Sequence, residues 1–109
     1  EGILAGCGVS LVRASELLKL KTSGAHIVRE AILEPVRQMA RNAGESPDVV
    51  VEKIRKGRGS KGWNFAKGKM SDMFVEGVVD PFKVTRCALQ NAASAASTLI
   101  TTNYAIVKK

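Results

Sequence analysis

The chain has 109 residues, a formal net charge of +7 and an apolar content of 45%, which together indicate one globular domain at most. This composition excludes a disordered chain, and no apolar run is long enough to span a bilayer, so we expect no membrane partner. Cys7 and Cys87 are the only cysteines and lie far apart, which excludes a disulfide framework and favours a reducing compartment.

The first part of the chain has the pattern of two helices. Gly6-Cys7-Gly8 leads into an amphipathic run that predicts a helix from Val9 to about Leu20. Ser23 can cap a second helix, which we expect to continue to about Asn42. Pro35 falls in its middle and removes a backbone donor, so it should kink or split that helix.

The middle of the chain predicts short elements around a glycine-rich loop. Ser46-Pro47-Asp48 is a strong helix start, and Gly57 ends that helix. Residues 57–62 are glycine-rich and basic and therefore indicate a loop, after which Trp63-Asn64-Phe65 predicts a short strand or turn edge. From Lys69 to Glu76, apolar residues on one side predict another short helix.

The last helix is predicted from Pro81 to about Thr98, with Asp80 as an acidic residue suited to cap it. Thr101 to Val107 is β-prone, and such a terminal strand must find a partner outside this sequence or in another subunit. The predicted fold class is mainly α, with about five helices and short β pieces around Trp63 and Tyr104.

A basic window between residues 53 and 69 contains no acidic residue. Such a window can bind nucleic acid, and the interleaved Trp63 and Phe65 favour that interpretation. A solvated basic loop is the preferred alternative, so we do not expect a nucleic-acid partner. The seven basic residues are Lys53, Arg55, Lys56, Arg58, Lys61, Lys67 and Lys69.

Independent chemistry is not indicated by the sequence. His26 is the only histidine and has no ligand partners nearby, so we expect a surface or capping role and no metal site. No set of residues resembles a nucleophilic triad or a general-base pair, so we predict no catalytic residue in this chain.

Several motifs in a fixed order resemble group I chaperonins, the GroEL type of the sixty-kilodalton heat-shock family found in bacteria, mitochondria and plastids. The most specific is Asp80-Pro81-Phe82-Lys83-Val84-Thr85-Arg86, and the resemblance covers essentially all of residues 1–109. The others are Glu1 to Leu11, Glu34 to Gln38, Asn42 to Pro47, Gly62-Trp63-Asn64, Ala92-Ala93-Ser94 and Thr101-Thr102.

The resemblance implies that residues 1–109 are the C-terminal half of the equatorial domain, which binds ATP and forms the ring. It places Cys7 where the family usually has a glycine whose backbone meets the nucleotide sugar. Asn64, Phe65 and Ala66 occupy the adenine-contacting triplet, usually Asn-Ala-Ala. Val78 matches an apolar residue against the base, and Asp80 matches the acid that holds the ribose hydroxyls.

Two residues depart from the family pattern. Cys7 adds a side chain where glycine allows close approach, and Phe65 is far bulkier than alanine, so it could stack on the base or narrow the pocket. The lysine-rich window is also unusual for the family. These departures indicate a diverged member, with the mitochondrial matrix as the expected location and the bacterial cytoplasm or a plastid as alternatives.

The resemblance further implies that ATP is bound with magnesium, and that the phosphate loop, the magnesium ligands and the catalytic aspartate lie outside these residues. Expected partners are identical subunits in a ring, and a co-chaperonin and unfolded proteins that bind through other domains. The segment alone is not expected to hydrolyse ATP. Two alternative functions stay open, a basic nucleic-acid-binding module and a self-associating interaction fragment.

Overall fold

The computed structural model describes all 109 residues, which form five helices and four short strands. By contact density the chain divides into two compact units, one of Ile3–Asp80 and one of Glu1–Gly2 with Pro81–Lys109. The predicted class, mainly α with short β segments, is confirmed. In chain order the elements are β1 (Ile3–Ala5), α1 (Val9–Glu16), α2 (Ser23–Ile32), α3 (Glu34–Asn42), α4 (Pro47–Lys56), β2 (Lys61–Asn64), β3 (Lys69–Asp72), β4 (Val79–Pro81) and α5 (Phe82–Ile100).

The first helices differ from the prediction at their ends. α1 stops at Glu16, four residues before the predicted end. α2 begins at Ser23, but the cap is Thr22, whose hydroxyl accepts the Ala25 N–H at 3.1 Å, so the prediction of a Ser23 cap is wrong. The expected break at Pro35 is confirmed, because α2 ends at Ile32 and α3 starts anew with that proline in its first turn.

The core of the first unit lies between α1, α3 and α4. Leu33, at the junction of α2 and α3, and Ile54 of α4 are completely buried. α3 packs closely on α4, and both bury one face only, as amphipathic helices do. The cluster consists of Ala5, Val9, Val12, Leu33, Val36, Ala40, Val50, Val51, Ile54, Trp63 and Met73.

A β-hairpin replaces the helix predicted from Lys69 to Glu76. β2 and β3 pair antiparallel with Trp63 opposite Met70, and β3 is followed by a turn. Asp72 Oδ1 accepts the N–H groups of Phe74 and Val75 at 3.0 and 3.3 Å, which favours that turn over a continuing helix. The predicted helix is therefore wrong, because cross-strand pairing outweighs a short apolar repeat.

Gly62 explains how closely the hairpin approaches α1. A Cβ built on Gly62 would overlap Val9 Cγ2 of α1 and would lie 3.3 Å from Met73 Cγ. Only a residue without a side chain fits there, so β2 lies directly against the start of α1. Strands β1 and β4 form a second two-stranded sheet next to that start.

The second unit consists mostly of α5, and none of its residues is fully buried. α5 begins at Phe82 with Pro81 as N-cap and no side chain bonded to its first turn, so the predicted Asp80 cap is wrong. Glu1 and Arg86 form an ion pair at 2.9 Å.

Residues 101–109 form no strand and are exposed, contrary to the predicted β piece around Tyr104, because no partner strand is present. No helix is both long and apolar enough to cross a membrane.

Candidate functional site

A tight turn, Gly6-Cys7-Gly8, connects β1 to α1. The Gly6 N–H donates to the Val78 carbonyl at 2.9 Å. A Cβ on Gly6 would lie 3.0 Å from both Val78 O and Val78 Cγ1, so glycine is required for this approach. Gly8 caps α1 with a φ of 76°. The turn is therefore fixed against the segment that leads into β4.

Cys7 is the only non-glycine residue with a positive φ, at 57°. This left-handed conformation is unfavourable for a residue with a side chain, in agreement with the glycine that the resemblance places there. The Cys7 side chain is half-buried and packs against the core. Burial, and then the negative charge of Asp80, raise the pKa of the Cys7 thiol, so the group near that carboxylate is neutral.

Val78 and Asp80 lie on the other side of this turn. The Val78 N–H donates to Met73 O at 2.8 Å, and its side chain packs against the core. Asp80 lies in β4 and is partly exposed. Its carboxylate forms no ion pair and accepts no hydrogen bond, either from a side chain or from the N–H groups at the start of α5. The acid is therefore available to a ligand.

The predicted adenine triplet forms the end of the β2–β3 hairpin. Asn64 is only 7% exposed, and its Oδ1 accepts the Lys67 N–H at 3.1 Å while its carbonyl accepts the Gly68 N–H at 2.7 Å. Asn64 thus holds the hairpin turn with its oxygen atoms. Phe65 is half-buried against the core, and Ala66 is exposed.

The structure brings the six predicted residues into two groups. Cys7 and Asp80 lie close enough for the charge of Asp80 to raise the pKa of the Cys7 thiol, and Val78 is hydrogen-bonded to the same turn. Asn64, Phe65 and Ala66 form the second group, and no hydrogen bond or ion pair joins it to the first. The core contacts of Cys7, Val78 and Phe65 place both groups beside one hydrophobic cluster.

An open groove of about 350 Å³ lies elsewhere in the first unit. Its walls come from β1, α1 and the loop before β2, and none of the six predicted residues lines it. The groove is mainly apolar and has no carboxylate to bind a ribose. The groove therefore suits a ribose less well than the turn and β4, where Asp80 supplies a carboxylate. Its lining residues are Ile3, Leu4, Ala5, Val9, Ser10, Arg13, Ala14, Leu17, Gly59, Ser60 and Phe74.

The aromatic residues of the basic window do not form a stacking surface. Trp63 is 5% exposed, and Lys53 Nζ lies 4.5 Å from the centroid of its ring. Phe65 packs against the core. The interpretation that these two rings favour nucleic-acid binding is therefore wrong, because a base cannot reach the face of Trp63.

Arg13 is a key residue that the sequence analysis missed. Its guanidinium donates to the carbonyls of Ile54, Gly59 and Lys61 at 2.7, 3.0 and 3.0 Å. These bonds hold the end of α4, the glycine loop and the start of β2 on α1. The partners lie 41 to 48 residues away, so no local pattern could have indicated them.

Other predicted features can be located as well. His26 is exposed on α2, as expected for a surface role. Both cysteines are free thiols. No group of three or more His, Cys, Asp or Glu residues is arranged to hold a metal ion.

Comparison with known proteins gives a match along the whole sequence. Residues 1–109 match the family model described as the TCP-1/cpn60 chaperonin family. The crystal structure of a group III chaperonin in the open state is similar, with a TM-score of 0.83, 30% identity, and coverage of 96% of this chain and 24% of that one. The open-state monomer of a group II chaperonin from Methanococcoides burtonii has a TM-score of 0.81 and 26% identity, with 92% and 28% covered. The chain thus spans about a quarter of these structures.

Proposed function

Because this chain belongs to the TCP-1/cpn60 chaperonin family, we propose that it is part of an ATP-dependent protein-folding chaperonin. Within that protein, residues 1–109 are the C-terminal half of the equatorial domain. They supply contacts to adenine and ribose, and surface for the assembly of identical subunits into a ring. Unfolded proteins and a co-chaperonin bind through other domains.

The single observation that carries this proposal is the free carboxylate of Asp80 beside the Gly6–Gly8 turn. A carboxylate with no partner in the chain can accept two hydrogen bonds from the vicinal hydroxyls of a ribose, and bonds to a charged group are the stronger kind. The neutral thiol of Cys7 adds no second negative charge there. The turn and Asp80 together therefore suit the sugar of a nucleotide.

The base would lie between Val78 and the hairpin end. Val78 offers an apolar surface, and the Nδ2 group of Asn64 can donate to the base edge while its Oδ1 serves the turn. Ala66 is exposed beside it. Because Phe65 packs against the core, it does not narrow this space as an outward ring would. The departure from alanine is thus compatible with adenine binding.

The residues of this chain bind and orient a nucleotide, whereas hydrolysis requires groups in the rest of the protein. Magnesium bound to the phosphates would neutralise charge that develops during phosphoryl transfer. Asp80 and Asn64 contribute by fixing the position of adenosine, which is how a binding group lowers the barrier of a reaction at the far end of its ligand.

The test is ATP affinity of the intact protein with Asp80→Ala, measured by calorimetry. We expect affinity to fall by about 10- to 100-fold, because hydrogen bonds to a charged group contribute about 1.5–3 kcal/mol. Asp48→Asn, which changes an exposed acid of α4, is the matched control and should have no effect.

A nucleotide without ribose hydroxyls makes the test specific. Dideoxy-ATP should bind the unsubstituted protein as weakly as ATP binds Asp80→Ala, and the variant should not distinguish the two ligands. Unchanged ATP affinity in the variant would overturn the ribose role of Asp80.

The group and compartment are part of the proposal. We propose group I for this chain on its sequence motifs alone; the two solved neighbours, at 30% and 26% identity, are of groups III and II. We also propose the mitochondrial matrix as its location. Negative-stain microscopy of the intact protein should show rings that bind a separate co-chaperonin only with ATP. Rings that close without a second protein would contradict group I.

A further inference from the structure

The basic window carries charge that the proposed nucleotide site does not use. Two of its seven basic residues have partners, since Lys53 lies over the Trp63 ring and Lys67 Nζ lies 2.8 Å from Glu76 Oε2. The other five form no ion pair in this structure. They are Arg55, Lys56, Arg58, Lys61 and Lys69.

Four of these residues, Arg55, Lys56, Arg58 and Lys61, are called here the basic segment. The three hydrogen bonds from Arg13 hold the backbone on which they stand. A Cβ on Gly57 would lie 3.4 Å from Lys61 Cβ, so the start of β2 lies against the end of α4. The four cations are therefore presented by a braced backbone, which reduces the ordering cost of binding.

The surroundings of the basic segment favour carboxylates over bases as its ligands. Trp63 is buried beneath Lys53, so no stacking platform accompanies the charges. Carboxylates already lie beside basic residues of this window, since Glu76 is bound by Lys67 and Asp72 is directly opposite Lys61 in the hairpin. Arginine forks also match carboxylates in two-point hydrogen bonds.

We propose that the basic segment is a docking surface for an acidic polypeptide segment, rich in Asp or Glu, of a partner protein. Charge complementarity supplies the recognition. The cations form no ion pair and lose little on binding, because Lys56, Arg58 and Lys61 are exposed and Arg55 is partly exposed. None of the four residues belongs to the proposed nucleotide site.

The experiment measures binding of a fluorescein-labelled poly-glutamate peptide to the intact protein by fluorescence anisotropy. The test variant is the triple Arg55→Gln, Lys56→Gln, Arg58→Gln. The matched control removes three cations elsewhere, Lys19→Gln, Lys21→Gln and Lys108→Gln. Trp63 fluorescence checks that both variants fold. Should the test triple be unfolded, Arg58→Glu alone serves instead, since Arg58 is exposed in the loop.

We expect the peptide to bind at low ionic strength and to dissociate as salt is added, because exposed charges are screened. The test triple should weaken binding by about tenfold, because it removes three of the four charges that attract the peptide, and the control triple should have little effect. No binding at low salt, or equal weakening by both triples, would overturn the proposal. Tighter binding of duplex DNA with the same variant dependence would assign the surface to nucleic acid instead.

Discussion

The unit of residues 3–80 and the helix α5 show two ways in which a helical sequence is specified. In the first unit every helix buries at least one residue, and the core joins three helices and a hairpin. α5 is the longest helix, with 19 residues, and has no buried residue. The contrast separates helices that pack on a common core from a helix whose proline start and alanine-rich body favour helix formation locally.

The largest expected difference between the two regions is the difference in unfolding free energy between two leucine substitutions, one in each region. Leu33 is 0% exposed and Leu99 is 75% exposed. Leu33→Ala should lower the free energy of unfolding by about 2–5 kcal/mol, because it leaves a cavity, whereas Leu99→Ala should change it by less than about 0.5 kcal/mol. Urea unfolding followed by Trp63 fluorescence and by far-ultraviolet circular dichroism measures both. Equal losses would show that Leu99 is buried.

Removal of the Arg13 side chain should have the next largest effect. Arg13→Ala leaves three carbonyls without their donor and should lower the free energy of unfolding by about 2–3 kcal/mol. Arg13→Lys keeps the charge without the fork and should recover less than half of that loss. The control Arg41→Ala removes an exposed ion pair with Glu34 and should cost about 0–1 kcal/mol. A similar loss in Arg13→Ala and Arg41→Ala would contradict the bracing role.

The backbone at Cys7 predicts an unusual order of variants. Cys7 has a φ of 57°. Any residue with a Cβ, including alanine, has a steric penalty in this conformation, whereas glycine has none. Cys7→Gly should therefore be more stable than Cys7→Ala by about 1 kcal/mol, the reverse of the order inside a helix. Thermal unfolding of the two variants checks this difference, and a more stable alanine variant would argue against the left-handed turn.

The smallest expected effect is a pH dependence of the free energy of unfolding, caused by Asp72 in the hairpin. A hydrogen bond from Ser60 Oγ, followed by backbone N–H bonds from Val75 and Phe74, holds the pKa of Asp72 below its ordinary value of 3.8. Asp72 therefore stabilises the fold above that value, and the contribution is lost as pH falls below it toward the lowered pKa.

Two variants isolate this contribution. Asp72→Asn removes the titrating group, and Ser60→Ala removes the largest cause of the lowered pKa. Both should flatten the plot of unfolding free energy against pH below the ordinary value, in urea titrations at a series of pH values. If the slope of that plot were unchanged in both variants, the pH dependence of stability would come from groups other than Asp72.

Much of the fold follows from local sequence signals, and the exceptions depend on distant contacts. The break at Pro35 and the helix start at Pro47 were predictable because each depends on a proline and its neighbours. For Lys69 to Glu76 the sequence predicts a helix, because Met70 and Met73 also fit a helical repeat. What decides its structure is pairing with β2, which a linear pattern does not reveal.

The candidate site shows the same division. The motif resemblance implies that Cys7 and Asp80 belong to one site, and the positive φ at Cys7 is the conformation that glycine adopts most readily. The role of Asn64 in its turn could have been recognised, because asparagine and a glycine four residues later are typical of a hairpin turn. The free carboxylate of Asp80 could not have been predicted from the sequence, because whether a side chain has a partner depends on the folded structure.

Each compact unit contains one free thiol that can be labelled. Cys7 lies in the first unit and Cys87 in the second, and neither is fully buried. A single-cysteine variant of either kind would carry one spin label or dye in one unit only. With both labels in place, the distance between the two units becomes a measurable quantity in solution.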